Sequence, residues 1–507
     1  MFSINPLLRT DSYKISHVMM FPEGTEKVYS NFTSRGSRVE GVNHTVHFGL
    51  QAYLRNLTDS FDDFFAAPKE DVLKNYRDVT STFVAPGFTY DHIEALHDLG
   101  YLPLRFSGAP EGHLIPIKVP SVTIENTHPD FAWLTNYIES DLSAAIWHPS
   151  TSATLAWTVR RTLDADAEKS SSTPEAVDFQ LHDFSYRGME NWQAAAASSA
   201  AHLISFLGTD AVPAVEWVNY FYPGDDNGLV GASVPATEHS VMSSNILSHA
   251  SADAAEGERE AFLRLLKIFP KGILSVVSDT YDFWGVLTEI LPQIKGEILG
   301  REGKLVIRPD SGDPVKVICG TVPATDLLPN GTPEQKGAIE VLWDLFGGTV
   351  NEKGFKELDP HIGLIYGDSI TPSRAKEINQ RLMAKGFSST NWVAGVGSFT
   401  YQYVTRDTFM SAVKATQIVV NGVSIDIFKA PKTDVGGFKR SATGRLAVLS
   451  RMDGNLYLVE KASPEQEAQS LLQPVWENGK FLREYSFGEV RGNLRRTTEI
   501  LTRNGSI

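Results

Sequence analysis

The sequence predicts an α/β protein: a (β/α)8-like barrel domain plus an α+β lobe built from both chain ends. Three observations carry that expectation. Seven segments between residues 177 and 399 each run a short apolar strand into a polar tip. Helical patterns lie between them, and strand–helix–strand alternation produces a parallel sheet covered by helices. Both flanks of the chain carry β patterns instead. A length of 507 residues exceeds what one hydrophobic core fills, so more than one lobe is expected. The expected division is an N-terminal α+β part at 1–150, a barrel-like catalytic domain at 151–400, and a C-terminal β-rich part at 401–507 that joins the N-terminal lobe.

In chain order, "KVYSNFTSRGSR", "TVHFGLQAYL" and "HLIPIKVPSVTIENT" read as β-rich runs among helical stretches. The barrel segments follow: "VDFQLHDFSYRG" (177–188), "LISFLGTDAV" (203–212), "GASVPATEHS" (231–240), "GILSVVSDTYD" (272–282), "LVIRPDSGD" (305–313), "IGLIYGDSIT" (362–371) and "NWVAGVGSF" (391–399). "QAAAASSAAHLISF" (193–206) reads as a tightly packed Ala-rich helix. The clearest helix is 371–386, where Thr371 caps, Pro372 opens and Gly386 ends the pattern. Ala375, Ile378, Leu382 and Met383 mark its apolar face. Turn formers place loops at 164–176, 222–231, 323–337 and 431–444. "QIVVNGVSIDIF" and "RLAVLSRMDGNLYLV" make the C-terminal part β-rich. Neither a fixed-period repeat nor a heptad pattern is present.

Composition narrows the partners. Hydrophobic content of 42% and charged content of 21% are those of a globular protein. Lys+Arg 46 against Asp+Glu 61 gives net charge -15, which repels nucleic-acid phosphates and excludes DNA or RNA as an expected partner. Cys319 is the one cysteine, so no disulfide framework or Cys-based zinc site can form, and a reducing cytoplasmic location is expected. The opening residues lack the apolar stretch of a signal peptide, and no apolar run is long enough to span a bilayer.

Strands that end in polar tips build their site at those tips, in the loops after the strands. The acids there are Asp183, Asp210, Glu238, Asp279, Asp282, Asp310, Asp313 and Asp368; the cations are Arg187, His239 and Arg308, with Arg406 and Lys414 beyond. "YGDS" (366–369) and "GVGS" (395–398) supply turns whose backbone N–H groups suit phosphate. Asp residues suit ribose hydroxyls or Mg²⁺, and Arg pairs with phosphate oxygens. The set reads as handling a phosphorylated sugar.

The motifs "TDSYK" (10–14), "HDFSYRG" (182–188), "GTD" (208–210), "SVPATEHS" (233–240), "SVVSDTYD" (275–282), "IRPDSGDP" (307–314), "GDS" (367–369), "TRD" (405–407) and "NGVSIDIFKAP" (421–431) together resemble the nicotinamide phosphoribosyltransferase family. They follow the family's order over most of the chain. The resemblance implies a type II phosphoribosyltransferase fold. It also implies transfer of 5-phosphoribosyl from phosphoribosyl pyrophosphate to nicotinamide, giving nicotinamide mononucleotide and pyrophosphate, a salvage step toward NAD. Mg²⁺ and ATP are the implied cofactor and co-substrate, and a homodimer with shared sites is the implied assembly.

By the same resemblance, Phe184 and a partner chain's Tyr13 sandwich the base, Asp210 accepts from its amide and Arg308 donates to its carbonyl. Asp310, Gly367 and Asp368 sit near the ribose. Arg187 and the Gly397 turn hold the 5′-phosphate, while Arg35, Arg406 and Lys414 grip the pyrophosphate. His239 takes a phosphoryl group from ATP, oriented by Asp279 or Glu238; imidazole is a good nucleophile near neutral pH. Asp210 would reject nicotinic acid through a buried like-charge clash of several kcal/mol, roughly a thousandfold.

Two positions depart from the family. Ser398 stands where a glycine is aligned, and Ala412 where a pyrophosphate-contacting serine is aligned. The alternatives are a nicotinic acid phosphoribosyltransferase, which Asp210 opposes, and a non-enzymatic regulatory or signalling protein on the same fold, which the intact acid, Arg and His set opposes.

Overall fold

In a computed structural model of the chain, residues 4–84, 89–249, 254–322, 330–367, 369–430 and 440–507 are described. The chain divides into two compact units: residues 155–215 with 229–403, and residues 1–154 with 216–228 and 404–507. The excursion at 216–228 has no counterpart in the sequence expectation.

The unit containing 229–403 is built on a six-stranded sheet. Its order is Gly208–Thr209, Leu181–Asp183, Trp392–Val396, Ile362–Tyr366, Leu305–Arg308, Leu274–Val277. Every pairing is parallel, with Ala394 against Leu181, Leu364 against Trp392, and Leu305 against both Ile362 and Leu274. The seventh expected strand, in 231–240, is not a ladder strand. It makes single parallel bridges, Ala232 to Gly208 and Ala236 to Ser275, and so links the two edge strands of the curled sheet. Pro235 explains this, because proline cannot donate to a ladder. Its carbonyl still accepts from Ser275 N (2.9 Å).

These strands are nearly all apolar and buried, as both-face coverage demands: Val276, Ile307, Leu364 and Trp392 are at most 1% exposed. The helix Pro372–Ala384 has Thr371 Oγ1 accepting from Arg374 N (3.3 Å) and buries Ala375, Ile378 and Leu382. The Ala-rich stretch is the helix Trp192–His202, whose small residues Ala195, Ala196, Ala200 and Ala201 are fully buried. The loop expected at 164–176 is shorter than predicted, because the helix Glu139–Ser170 runs into it.

The other unit centres on a seven-stranded antiparallel sheet drawn from both chain ends. Its order is Val423–Asp426, Ala412–Val420, Thr25–Thr33, Pro120–Asn126, Leu104–Gly108, Gln473–Glu477, Lys480–Phe481. Asn421 and Gly422, with φ 48° and 74°, make the tight turn that the "NG" pair demands. One face of the sheet packs Phe106, Ile124 and Trp476 with the helical Leu54 and Phe61. "TVHFGLQAYL" is a β run only to Val46. Gly49, with φ 100°, then turns the chain into the helix Leu50–Ala66. The end of the chain is also less β-rich than expected. Ser486 and Glu489 form a capping box that starts the helix Phe487–Arg503. The expected loops at 323–337 and 431–444 fall in part outside the described residues, at 323–329 and 431–439. Among the described residues no helix is long and apolar enough to cross a membrane.

Candidate active site

The first cluster of candidate side chains stands at the ends of three strands of the parallel sheet. Phe184 follows the strand Leu181–Asp183, and its N–H donates to Val396 O (2.8 Å). The Arg308 guanidinium lies 4.6 Å from the Phe184 ring centroid, within cation–π range. Arg308 is 8% exposed, and its Nε–H has no acceptor among the described residues. A buried guanidinium donor without a partner is costly in a finished core, and fits a place where an acceptor arrives.

Asp210 follows the strand Gly208–Thr209. Its Oδ1 accepts from the Ser233 hydroxyl (2.6 Å) and lies 2.8 Å from His182 Nε2. No described residue donates to Oδ2. Burial pushes this carboxyl up, but the His182 hydrogen bond and charge, Ser233 and Arg308 together hold it below the usual carboxylate range. The Asp210 side chain is 41% exposed, so the fully buried clash expected from the sequence is replaced by a partly screened one. His182, Phe184, Asp210 and Arg308 all line one cavity of about 430 Å³, with apolar side chains such as Val306 and Ile365 along the rest.

Beside this lies a carboxylate node. Asp279 follows the strand Leu274–Val277, and its side chain is 4% exposed. Its Oδ2 accepts from Asp310 N (2.8 Å) and Ser311 Oγ (2.7 Å), and its Oδ1 lies 3.1 Å from His239 Nε2. One residue therefore holds the histidine at the start of the helix His239–His249 and the turn after the strand Leu305–Arg308. Glu238, the other orienting candidate, accepts from Ser240 Oγ instead. Asp282 caps the following helix through Gly285 N (3.0 Å), and Asp313 caps another through Val315 N (3.0 Å). Asp183 is spent on Ser185 and Thr209.

Asp310 Oδ2 stands 3.6 Å from Arg308 Nη2. Gly367 lies against this pair. A Cβ there would collide with Asp310 Oδ1 and come within 2.8 Å of Arg308 Nε, so it would displace these two side chains. Gly395, expected at the start of a phosphate turn, lies instead within the strand Trp392–Val396 and is similarly crowded: a Cβ would sit 2.7 Å from Phe184 Cε2 and 2.6 Å from Tyr366 O. Asp368 lies outside the described residues. Ser369, the next residue, is held at φ 60°, a strained value for serine, and its carbonyl accepts from Arg374 Nη1 (2.6 Å).

Arg187 is exposed on the helical turn Tyr186–Gly188, and Gly397 follows the strand Trp392–Val396 with open space around its Cα. Ser398 opens a helical turn at ordinary φ, so its Cβ causes no backbone strain there; it packs against Gly188.

Tyr13, Arg35, Arg406 and Lys414 belong to the other unit. Lys414 lies on the strand Ala412–Val420 opposite Asn31, and its Nζ is 3.7 Å from Glu139 Oε1. Burial lowers the Lys414 ammonium pKa. Glu139 opposes this, and the charges of Arg35, Lys14 and Lys429 add to it, so basic groups do gather around Lys414. Lys14, paired with Glu139, went unassigned in the sequence although it closes the "TDSYK" motif. Arg35 Nε donates to Met410 O (3.0 Å), Arg406 Nη2 lies 3.6 Å from Asp407 Oδ1, and Tyr13 is 57% exposed. Ala412 is buried at the strand start, paired with Thr33. Among the described residues no group of His, Cys, Asp or Glu could by itself hold a metal ion.

A curled parallel sheet whose tips present a cationic aromatic slot and a carboxylate node defines an enzyme of the phosphoribosyltransferase class. Comparisons with known proteins bear on this directly. The profile of the "Nicotinate phosphoribosyltransferase (NAPRTase) family" matches residues 179–480, and that of the "Nicotinamide phosphoribosyltransferase, N-terminal domain" matches residues 5–95. Relatives named nicotinamide phosphoribosyltransferase occur in Acinetobacter baylyi (46% identical, 98% of each chain covered) and Xanthomonas campestris pv. campestris (34% identical, 96% of this chain and 98% of that one). The chain belongs to the nicotinamide phosphoribosyltransferase family. The fold is shared with human nicotinic acid phosphoribosyltransferase (TM-score 0.58, 17% identity, 97% of this chain and 94% of that one). It is also shared with nicotinate-nucleotide pyrophosphorylase from Pyrococcus furiosus (TM-score 0.56, 15% identity, 99% of this chain and 98% of that one).

Proposed function

We propose that this enzyme transfers 5-phosphoribosyl from phosphoribosyl pyrophosphate to nicotinamide, releasing nicotinamide mononucleotide and pyrophosphate. The observation that carries the choice of base is Asp210. Its Oδ1 is taken by His182 and Ser233, which leaves Oδ2 as the acceptor for an amide N–H. A carboxylate ligand would meet like charge at the same atom. Arg308, with its unpartnered donor beside the Phe184 ring, suits the amide carbonyl of a flat ring stacked there.

The reaction breaks the ribose C1–O bond and forms a bond from C1 to the pyridine nitrogen, whose lone pair attacks without giving up a proton. Positive charge develops on the sugar while the leaving diphosphate gains electrons. Carboxylates near the ring and cations on the leaving group stabilise that separation. Asp310, with Asp368 and Gly367, is assigned to the ribose side, and Arg187 with the Gly397 turn to the 5′-phosphate. Arg35, Arg406 and Lys414 are assigned to the diphosphate. Mg²⁺ is assigned to the diphosphate as its counter-ion, with no ligands from the chain assigned.

ATP is assigned to His239, which would take a phosphoryl group while Asp279 keeps the ring in place. Tyr13, exposed in its own unit, is assigned to the base slot of a second copy of the chain, making the enzyme a homodimer. An assay of both bases with phosphoribosyl pyrophosphate and Mg²⁺, with and without ATP, tests the reading. Preference for nicotinic acid overturns it in favour of the runner-up activity, and Asp310→Ala should remove product formation in a folded protein.

A further inference from the structure

Next to the His239–Asp279 pair is a buried carboxyl that the proposed chemistry leaves unused. Glu258 lies on the helix Ala254–Ile268, at the same face as Ala261, Phe262 and Leu265. It is 3% exposed, and its Oε1 has no hydrogen-bond partner among the described residues. Its neighbours Glu256 and Glu260 lie 3.9 and 3.0 Å from Arg259 Nη2, and Arg259 Nη1 donates to Gln293 Oε1 (3.2 Å); the buried Arg259 Nε–H has no acceptor among the described residues and makes no hydrogen bond to Glu258. An ionised, unpaired carboxylate at a core position is costly, and the neutral acid is the form that packs.

The helix packs against His239–His249, against the turn Val286–Ile290 and against Lys295–Leu299. Those elements carry His239, His249, Glu289, Lys295 and Glu297. Lys295 is engaged with Leu345 O (2.6 Å). The charges that act on Glu258 are Asp282 and Asp279. Burial first, then these two carboxylates, push the Glu258 pKa up to about 7.

We propose that Glu258 is a positioning residue for the transfer site: as a neutral acid it keeps a third negative charge away from Asp279, so that Asp279 can hold His239 and the Asp310–Ser311 turn together. The geometry of the node explains the sensitivity. Asp279 is nearly fully buried and is met by three groups at 2.7 to 3.1 Å. Ionising Glu258 would bring a second buried negative charge near Asp279, whose side chain is 4% exposed, while the exposed Asp282 adds a weaker, solvent-screened repulsion. The repulsion is relieved by turning Asp279 away from its donors or by loosening the helix. Either movement releases Asp310, so the rate falls while the base slot around Asp210 and Phe184 is untouched. The role rests on the proposed transfer activity only for what Asp279 positions.

The test compares wild type with Glu258→Gln, which carries the shape of the neutral acid and cannot ionise. Steady-state transfer to nicotinamide is measured from pH 6 to pH 9, with thermal melting at each pH as a folding control. The expected wild-type result is a loss of kcat above about pH 7, approaching tenfold per pH unit, with KM for nicotinamide little changed. Glu258→Gln should keep the neutral-pH rate and lose that decline. A wild-type decline that persists unchanged in Glu258→Gln overturns the proposal.

A second measurement does not need the variant to be active or to fold well. In wild-type protein labelled with 13C at the glutamate side-chain carboxyl, one resonance should titrate near pH 7, and it should persist in the inactive Asp310→Ala protein. If every glutamate carboxyl is ionised by pH 6, Glu258 is not a neutral acid and the proposal fails. Wild type that transfers to neither base at any pH defeats the transfer reading itself. That result is distinct from an active wild type whose pH profile ignores residue 258.

Discussion

Replacing Asp210 with Asn removes one charge at the point where the two candidate bases differ. In wild type, the carboxylate of nicotinic acid would approach the Asp210 carboxylate at contact distance. Two unit charges about 4 Å apart interact by about 4 kcal/mol at an effective dielectric near 20. The Asp210 side chain is 41% exposed, and solvent screening on that scale reduces the penalty to about 2 kcal/mol. A difference of about 2 kcal/mol corresponds to roughly thirtyfold in relative kcat/KM. Asp210→Asn should therefore shift the ratio of nicotinamide to nicotinic acid kcat/KM by about that factor toward the acid. Its absolute activity with nicotinamide should fall as well, because the Asn side chain cannot accept from His182, Ser233 and the amide as a carboxylate does. The assay is product formation from each base under identical diphosphate and Mg²⁺ conditions. An unchanged ratio would refute the claim that charge at residue 210 selects the base, even if both rates dropped.

Other outcomes follow from the same geometry. Gly367→Ala should lower kcat/KM by about ten- to a hundredfold with a small change in Tm, because the new Cβ separates Arg308 from Asp310 without straining the backbone; wild-type kinetics in that variant would show the close contact to be irrelevant. His239→Ala should lose the stimulation of transfer by ATP and retain part of the ATP-independent rate, read as turnover with and without ATP. Tyr13→Ala and Asp310→Ala proteins, each weak alone, should recover activity when mixed and allowed to exchange subunits; no recovery would argue against shared sites.

Acid sensitivity has a buried source in His202. It hydrogen-bonds Tyr401 Oη and Gly208 O, and burial lowers its pKa to about 4. The folded value lies below the unfolded one near 6.5, so the folded state binds fewer protons between them. The stability contributed by neutral His202 is thus fully present above about pH 6.5 and is lost as pH falls toward about 4. Melting of wild type and His202→Gln across that window measures it; equal slopes in the two proteins would assign the loss to other groups.

Much of the parallel-sheet unit was legible because its signals are local. A short apolar run followed by a polar tip records a strand buried on both faces that ends at solvent. Thr371, Pro372 and Gly386 bound a helix by capping chemistry that needs no tertiary partner. Where the expectation and the structure differ, breaker and capping residues outweigh the apolar pattern around them. Pro235 left 231–240 as a bridging segment. The strand signal in "TVHFGLQAYL" stopped at Gly49. The helix Phe487–Arg503 was passed over, although Ser486 and Glu489 announce its start.

At the site, the residue types could be read from motifs, and their duties could not. Asp183, Asp282 and Asp313 looked as available as Asp279, yet they turned out to be a loop tether and two helix caps. Nothing local distinguishes a carboxylate that caps a helix from one that faces a substrate, because both follow an apolar run and precede a turn. The unpartnered Arg308 Nε, the shared use of Asp279 and the burial of Glu258 exist only once separate strands and helices meet. Chain chemistry by itself determined which functional groups the protein owns and that they stand at strand ends. Only folding in three dimensions decided which of them have their hydrogen-bonding capacity used up by neighbours and which keep it for a ligand, since that depends on atoms distant in sequence.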